Sequence, residues 1–394
     1  MAKSFLRLFS WLTLATILGT SLIAASAAPQ GEKATKYWVF FGTYTGPKPG
    51  AGGKSGGIYR SEFDATTGKL TEPVLAVEAV DPSFLAIDPA KKHLYCVVEQ
   101  ELEPKGEVNA YTLDTATGKL TFLNKQSSGG QAPCYIAVDR TGKYVFASNH
   151  HTGSDICLPI QTDGSLGSPT SFIQHNGVID PKGKDSVHSH SINVDAGNNY
   201  VVAAEKGLNQ LIVYKFDATK GTLTPNNPPH LQLSTNSRPR HFAFHPNGKF
   251  AYVINESALT INALSYDPEK GVLKGLQTIS TIPPGGGKGS TAEVVVHASG
   301  KFLYGSNRGS NTIAIFGIDQ QTGELKSVGW QGKDIKTPRN FAIDPTGKFM
   351  LVANQGGGNV IEFRIDANTG ELAPTEERVN VMTPVCVRFV EITK

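Results

Sequence analysis

The chain has 394 residues, 42 of them glycine and 23 proline, with 39% hydrophobic and 18% charged residues and a formal net charge of +3. Glycine and proline exceed ordinary usage but stay below low-complexity disorder, and no collagen period is present, so a turn-dense globular protein remains. It is too long for one ordinary core, and nothing in so mild a charge points to nucleic acid or an anionic membrane surface.

In chain order, Lys3 and Arg7 precede a largely apolar run over 8–24 that ends in the small residues Ala25, Ser26, Ala27 and Ala28. This predicts a cleaved secretory signal peptide over residues 1–28, hence a secreted or periplasmic protein with no stable membrane insertion afterwards. The alternative is an uncleaved anchor, since about 17 apolar residues is marginal for a span. Without Lys3 and Arg7, 35 basic residues face 34 acidic ones. The mature domain is expected over 36–394, with Gly/Lys-rich surface loops at 47–57 and 181–186. Cys96, Cys134, Cys157 and Cys386 each sit in an apolar stretch and are expected as buried strand residues. Without a Cys-x-x-Cys or Cys/His ligand spacing, no structural zinc or other cofactor is expected.

From residue 64 onward two phrases alternate. One is an apolar run, Asp or His, a tight turn and a second apolar run, centred on Asp88, Asp139, Asp195, His245, His297 and Asp344, at spacings of 51, 56, 50, 52 and 47 residues. The other is a turn such as Asp64-Ala65-Thr66-Thr67-Gly68-Lys69, whose glycine returns at Gly118, Gly164, Gly221, Gly271, Gly323 and Gly370. Two tight turns joining short Val-, Ile-, Phe- and Tyr-rich runs make a four-stranded antiparallel unit. Seven such units predict an all-β, seven-bladed β-propeller. The segment from Pro384 to Val390 reads as the first strand of a unit whose second strand lies near Tyr37 to Tyr44, so the C-terminal strand is expected to close the first blade. No long helix is expected.

In a propeller the inner strands converge on one axis, so residues in which a single repeat departs from the pattern meet in space. Four such departures are the catalytic candidates: His190, Arg240, Glu256 and Arg308. Candidates for substrate binding are His241, Glu293, Arg339 and Gln355, for which a structural role as hydrogen-bonded blade caps or surface ion pairs competes. His188-x-His190 would share a strand face and suggests a metal pair, but no third ligand is evident and no metal is assigned. Residues 285–291, Gly-Gly-Gly-Lys-Gly-Ser-Thr, lack phosphate-loop spacing and read as a flexible loop. The sequon Asn255-Glu256-Ser257 falls on the candidate site and reads as chance.

Three phrases carry a resemblance: 238–249 (Arg-Pro-Arg-His-Phe-Ala-Phe-His-Pro-Asn-Gly-Lys), 289–296 (Gly-Ser-Thr-Ala-Glu-Val-Val-Val) and 304–309 (Tyr-Gly-Ser-Asn-Arg-Gly). In this order and spacing, over 36–394, the chain resembles the seven-bladed propeller lactonase family that includes bacterial 6-phosphogluconolactonase and fungal carboxy-muconate cyclases. The resemblance implies a site of one His, two Arg and one Glu, which by motif fall on His190, Arg240, Glu256 and Arg308. The chain departs from the family with Arg238 in place of a usual Gly, and with His150-His151 where many members have an aromatic residue.

The chemistry implied is hydrolysis of a small-molecule sugar lactone. His190, slightly ahead of Glu256, would be the base, and Arg240 and Arg308 would serve the oxyanion or an anionic substituent. Export favours an unphosphorylated aldonolactone over the intracellular sugar phosphate. The alternatives are a muconate-type cycloisomerase using the same site and a non-catalytic propeller binding protein. Oligomeric state is not readable.

Overall fold

The computed structural model describes Met1 and residues 35–46, 55–100, 106–177 and 186–393. All but Met1 of the signal peptide expected over 1–28, most of the loop expected at 47–57 and residues 181–185 of the loop expected at 181–186 lie outside them.

Among the described residues twenty-eight strands form seven four-stranded antiparallel sheets, and there is no helix. Blades 2 to 7 each take four consecutive strands. In blade 4 these are Ser189–Val194, Tyr200–Glu205, Gln210–Asp217 and Thr222–Gln232. First strands of neighbouring blades touch around the whole circle, so they line the axis. Blade 1 is assembled from both ends of the described chain: Pro384–Glu391 pairs antiparallel with Lys36–Thr43, from Tyr37 opposite Glu391 to Thr43 opposite Pro384. Val385, Cys386, Val387 and Val390 are at most 3% exposed there. At about 1.5–3 kcal/mol per fully buried large apolar side chain, this strand contributes an amount comparable with the whole stability of a domain.

The repeated turns work as the composition predicts. All seven turn glycines from Gly68 to Gly370 have positive φ, between 64° and 88°, a conformation that costs a side-chain-bearing residue and that glycine adopts freely. The turns also serve packing between blades. Tyr95, Tyr252 and Tyr304, buried in second strands, donate their hydroxyls to the carbonyls of Gly164, Gly323 and Gly370 of the following blade, at 2.9 to 3.0 Å. Core clusters therefore lie between blades, as where Tyr37, Val39 and Phe41 meet Phe349, Leu351 and Ala353. All four cysteines are buried and unbridged.

Candidate functional site

Two rings of side chains converge at one end of the axis. The first ring arises from a β-bulge near the start of the first strand. In blades 3, 4, 5 and 7 the register with the second strand skips one residue, between Pro133 and Tyr135, Ser189 and Ser191, Pro239 and His241, and Pro338 and Asn340. The skipped residues are Cys134, His190, Arg240 and Arg339. A bulge re-aims the extra side chain out of the pleat, which is how four blades deliver one group each to the axis. The second ring follows the end of the second strand. His150, Lys206, Glu256 and Gln355 donate their amides to the carbonyls of Ala132, His188, Arg238 and Thr337, at 2.8 to 3.1 Å. Arg238 has a φ of 54°, as Ala132 and Thr337 have 51° and 54°, so the arginine departing from the family's glycine occupies a left-handed position that other blades also fill without glycine.

Glu256 is where the rings meet. Its Oε1 lies 3.0 Å from Lys206 Nζ, and its Oε2 lies 3.2 Å from Arg240 Nε, 3.5 Å from Arg308 Nη2 and 3.9 Å from His190 Nε2. The other three sequence-predicted catalytic residues are thus within reach of the Glu256 carboxylate, together with Lys206, which sequence reasoning missed. Its signal was available: Lys206 follows Glu205 at the repeat position that Glu256 occupies after Asn255. Burial alone would raise the pKa of Glu256, but Lys206, Arg308 and Arg240 outweigh it and hold the carboxyl well below the usual range. Burial, with Arg240 and the neighbouring imidazoles, pushes His190 well below its ordinary value, and it rests neutral. Burial, then Arg240, lowers Arg308 to about 9. Glu256, Lys206 and Arg308 keep 17, 15 and 16% of their side-chain surface accessible against 3% for Arg240, so a solute arriving at this face meets the first three before Arg240.

The binding candidates divide. Arg240 Nη1 donates to His241 Nε2 at 3.0 Å, and His241 Nδ1 donates to Glu293 Oε1 at 2.8 Å. Asn340 also donates to Glu293, while its own oxygen accepts from the Val387 amide at 2.9 Å. His241 and Glu293 therefore form a strut behind Arg240 that joins blades 5, 6, 7 and 1. Burial lowers His241 to about 4, which keeps its acceptor nitrogen open to Arg240. Arg339 reaches the axis from blade 7 and donates to the Tyr44 hydroxyl at 2.7 Å, which in turn donates to both oxygens of Glu99, at 2.9 and 3.0 Å. A small cavity of about 10 Å³ lies against Ser83, Glu99, Cys134, Arg240 and Arg339, room for about one water molecule. Gln355 is 9% exposed, and its backbone amide holds the second ring.

Imidazoles line the neighbouring wall. His150 stacks on His188 with centroids 4.6 Å apart and meets His190 edge-on at 5.1 Å. His150, His188 and His190 thus form one cluster of imidazole rings. His190 is the bulged residue, so His188 and His190 do not present the simple alternating pair expected from the sequence. Among the described residues no group of three His, Cys, Asp or Glu is arranged to hold a metal.

The opposite end of the axis is different. Phe84 and Tyr135 stack at 4.3 Å and His241 meets both edge-on, which closes the channel beneath the rings. Beyond this plug a cavity of about 490 Å³ opens between Phe242, Val294, Val296, Phe341, Ile343 and Phe389, with Glu293, Asp344 and Arg388 its charged residues.

Residues 38–389 match the family model described as lactonase, 7-bladed beta-propeller. The chain is 36% identical over 356 residues to a 6-phosphogluconolactonase of Bacillus subtilis (strain 168), covering 90% of this chain and 99% of that one. It is 34% identical over 313 residues to a 6-phosphogluconolactonase of Formosa agariphila, covering 78% and 86%. Among solved structures, the periplasmic gluconolactonase of Pseudomonas aeruginosa superposes with a TM-score of 0.84 at 28% identity, over 91% of this chain and 100% of that one.

Proposed function

From the premise that the chain belongs to the seven-bladed β-propeller lactonase family, we propose that it hydrolyses unphosphorylated sugar lactones outside the cytoplasm, using His190, Arg240, Glu256 and Arg308 with Lys206. One observation carries the reading: a single carboxylate, Glu256, held among Lys206, Arg240 and Arg308 beside the neutral imidazole of His190. Lactone opening needs a proton taken from water, stabilisation of the tetrahedral oxyanion and a proton returned to the leaving ring oxygen.

His190 is unprotonated and accepts the water proton as the water oxygen bonds to the carbonyl carbon. Glu256, 3.9 Å from Nε2, stabilises the imidazolium that results. Arg308 and Lys206, the more accessible cations, receive the oxyanion, with Arg240 behind them. Collapse breaks the ring C–O bond, and the leaving alkoxide takes the proton back from His190, which leaves a hydroxy acid. His241 and Glu293 keep Arg240 in place. The substrate preference is supported by the leader over 1–28, since sugar phosphates are intracellular, and by the likeness to a periplasmic gluconolactonase.

The test compares hydrolysis of gluconolactone and its 6-phosphate by the wild-type chain, Arg240→Ala and Glu256→Ala. Wild-type hydrolysis with a preference for the unphosphorylated ring is expected. In Arg240→Ala kcat should drop about 10²–10³-fold, the loss typical of removing one oxyanion-stabilising group. In Glu256→Ala it should drop about 10²-fold or more, because the His190 imidazolium loses its counter-charge and proton transfer is impaired. Variants turning over like wild type would refute the assignment.

A further inference from the structure

The blade 3–blade 4 junction breaks the repeat at three buried positions at once. On the third strand, Asp155 stands where the other six blades carry Ile58, Val108, Leu211, Ile261, Ile313 and Val360, all within the core. At the end of the second strand, Glu205 stands where blades 3, 5 and 7 carry Asn149, Asn255 and Asn354. Just past the fourth strand, His175 occupies the place of Ser128, Leu233 and Thr281. Asp155 and Glu205 are 0% exposed.

These three residues touch. His175 Nε2 lies 3.0 Å from Asp155 Oδ2 and His175 Nδ1 lies 2.5 Å from Glu205 Oε2, so both ring nitrogens face carboxylates. The carboxylates prevail over burial and raise His175 to about 10, and the ring is an imidazolium between two anions. Such a buried triad is weak evidence for stability, because well-packed apolar residues of similar volume do as well or better. Six blades hold the same aliphatic position with aliphatic residues. The ions at this one junction call for another reason.

Their outer oxygens supply it. Glu205 Oε1 accepts from the backbone amides of His188, at 2.5 Å, and Gly207, at 2.9 Å. Asp155 Oδ1 accepts from the hydroxyls of Ser189 and Ser148, each at 2.7 Å. His188 and Ser189 immediately precede His190, and Glu205 and Gly207 flank Lys206. The bulge that turns His190 to the axis lies between Ser189 and Ser191, opposite Glu205 and Ala204. In blades 3, 5 and 7 a proline, Pro133, Pro239 or Pro338, begins the same bulge. Blade 4 has Ser189 there, and the ionic cluster grips the strand instead.

We propose that Asp155, His175 and Glu205 are positioning residues that fix the blade 4 bulge, and so hold His190 and Lys206 against Glu256. The proposal rests on the lactonase site described above. It adds that two of the groups around Glu256 are anchored through one buried cluster shared between blades.

The decisive variant restores the repeat: Asp155→Leu, His175→Thr and Glu205→Asn together, in the full-length protein. The expected result is a melting temperature equal to or above wild type with kcat/KM for lactone hydrolysis lowered about 10–100-fold, the range seen when residues supporting an active-site group are lost. A folded triple variant with kcat/KM within twofold of wild type would overturn the proposal. Should the triple variant not fold, Glu205→Gln, which keeps the volume, is expected to lose about 10-fold, and full activity in it would be equally fatal. If wild type hydrolyses neither gluconolactone nor its 6-phosphate, the lactonase reading fails by itself. Positioning is then read from the ¹⁵N resonances of the His190 imidazole, which move in the variant if the cluster holds the bulge and stay in place if it does not.

Discussion

The two ends of the axial channel are built from the same seven first strands, yet only one has the makings of a reaction centre. At one end bulges and strand termini gather Lys206, Arg240, Arg308 and His190 around the carboxylate of Glu256, and Arg240 and Arg339 also border a cavity with room for about one water. At the other, regular strands leave a cavity of about 490 Å³ with a mainly apolar wall. Volume alone would select the apolar end. Chemistry needs groups whose protonation is set by their neighbours, and these occur where the register breaks and several repeats each send in one polar side chain.

The largest effect is expected from removing what both ends share. The strand Pro384–Glu391 supplies Val385 near the polar end and Val387 to Phe389 at the apolar end. Deleting residues 383–394 should abolish the cooperative melting transition at physiological temperature, and an unchanged melting temperature would show that the blade 1 closure is dispensable. Next come changes confined to one end. Lys206→Met removes a cation from Glu256 and should lower kcat/KM about 10-fold or more with the fold intact, while Ala298→Phe at the apolar mouth should leave it within about twofold. Similar losses in the two variants would erase the distinction.

The smallest effect concerns a second buried carboxyl that lacks the setting of Glu256. Glu362 has a buried Oε2 with no hydrogen-bond partner, and burial raises it from an ordinary 4.5 to about 8. Because the folded value lies above the unfolded one, its contribution to stability is complete below pH 4.5 and is lost as pH rises through 8. Glu362→Gln should therefore melt a few degrees above wild type at pH 8.5, with a flatter pH dependence between 4.5 and 8. Parallel curves for the two proteins would contradict this.

Much of the site was legible because repeats supply their own comparison. His190, Arg240, Glu256 and Arg308 stood out as single-blade departures, and they converge. Lys206 satisfied the same criterion and was passed over. So did Asp155, His175 and Glu205, whose departures are invisible until the strands are registered and one sees which positions the other blades fill with aliphatic residues. His241 and Glu293 looked like ligands for a substrate, and only their mutual 2.8 Å contact reveals a strut behind Arg240.

By itself the sequence determined the architecture: period, turn chemistry and strand composition are local properties, and seven repeats of a four-stranded unit with a displaced first strand close in one way. What only the tertiary structure decided is the state of each group. Whether a carboxyl is ionised, as in Glu256, or raised toward neutrality, as in Glu362, depends on cations brought from other blades across tens of residues of chain. No local pattern encodes that, because Coulomb interactions and desolvation act through space and not along the backbone.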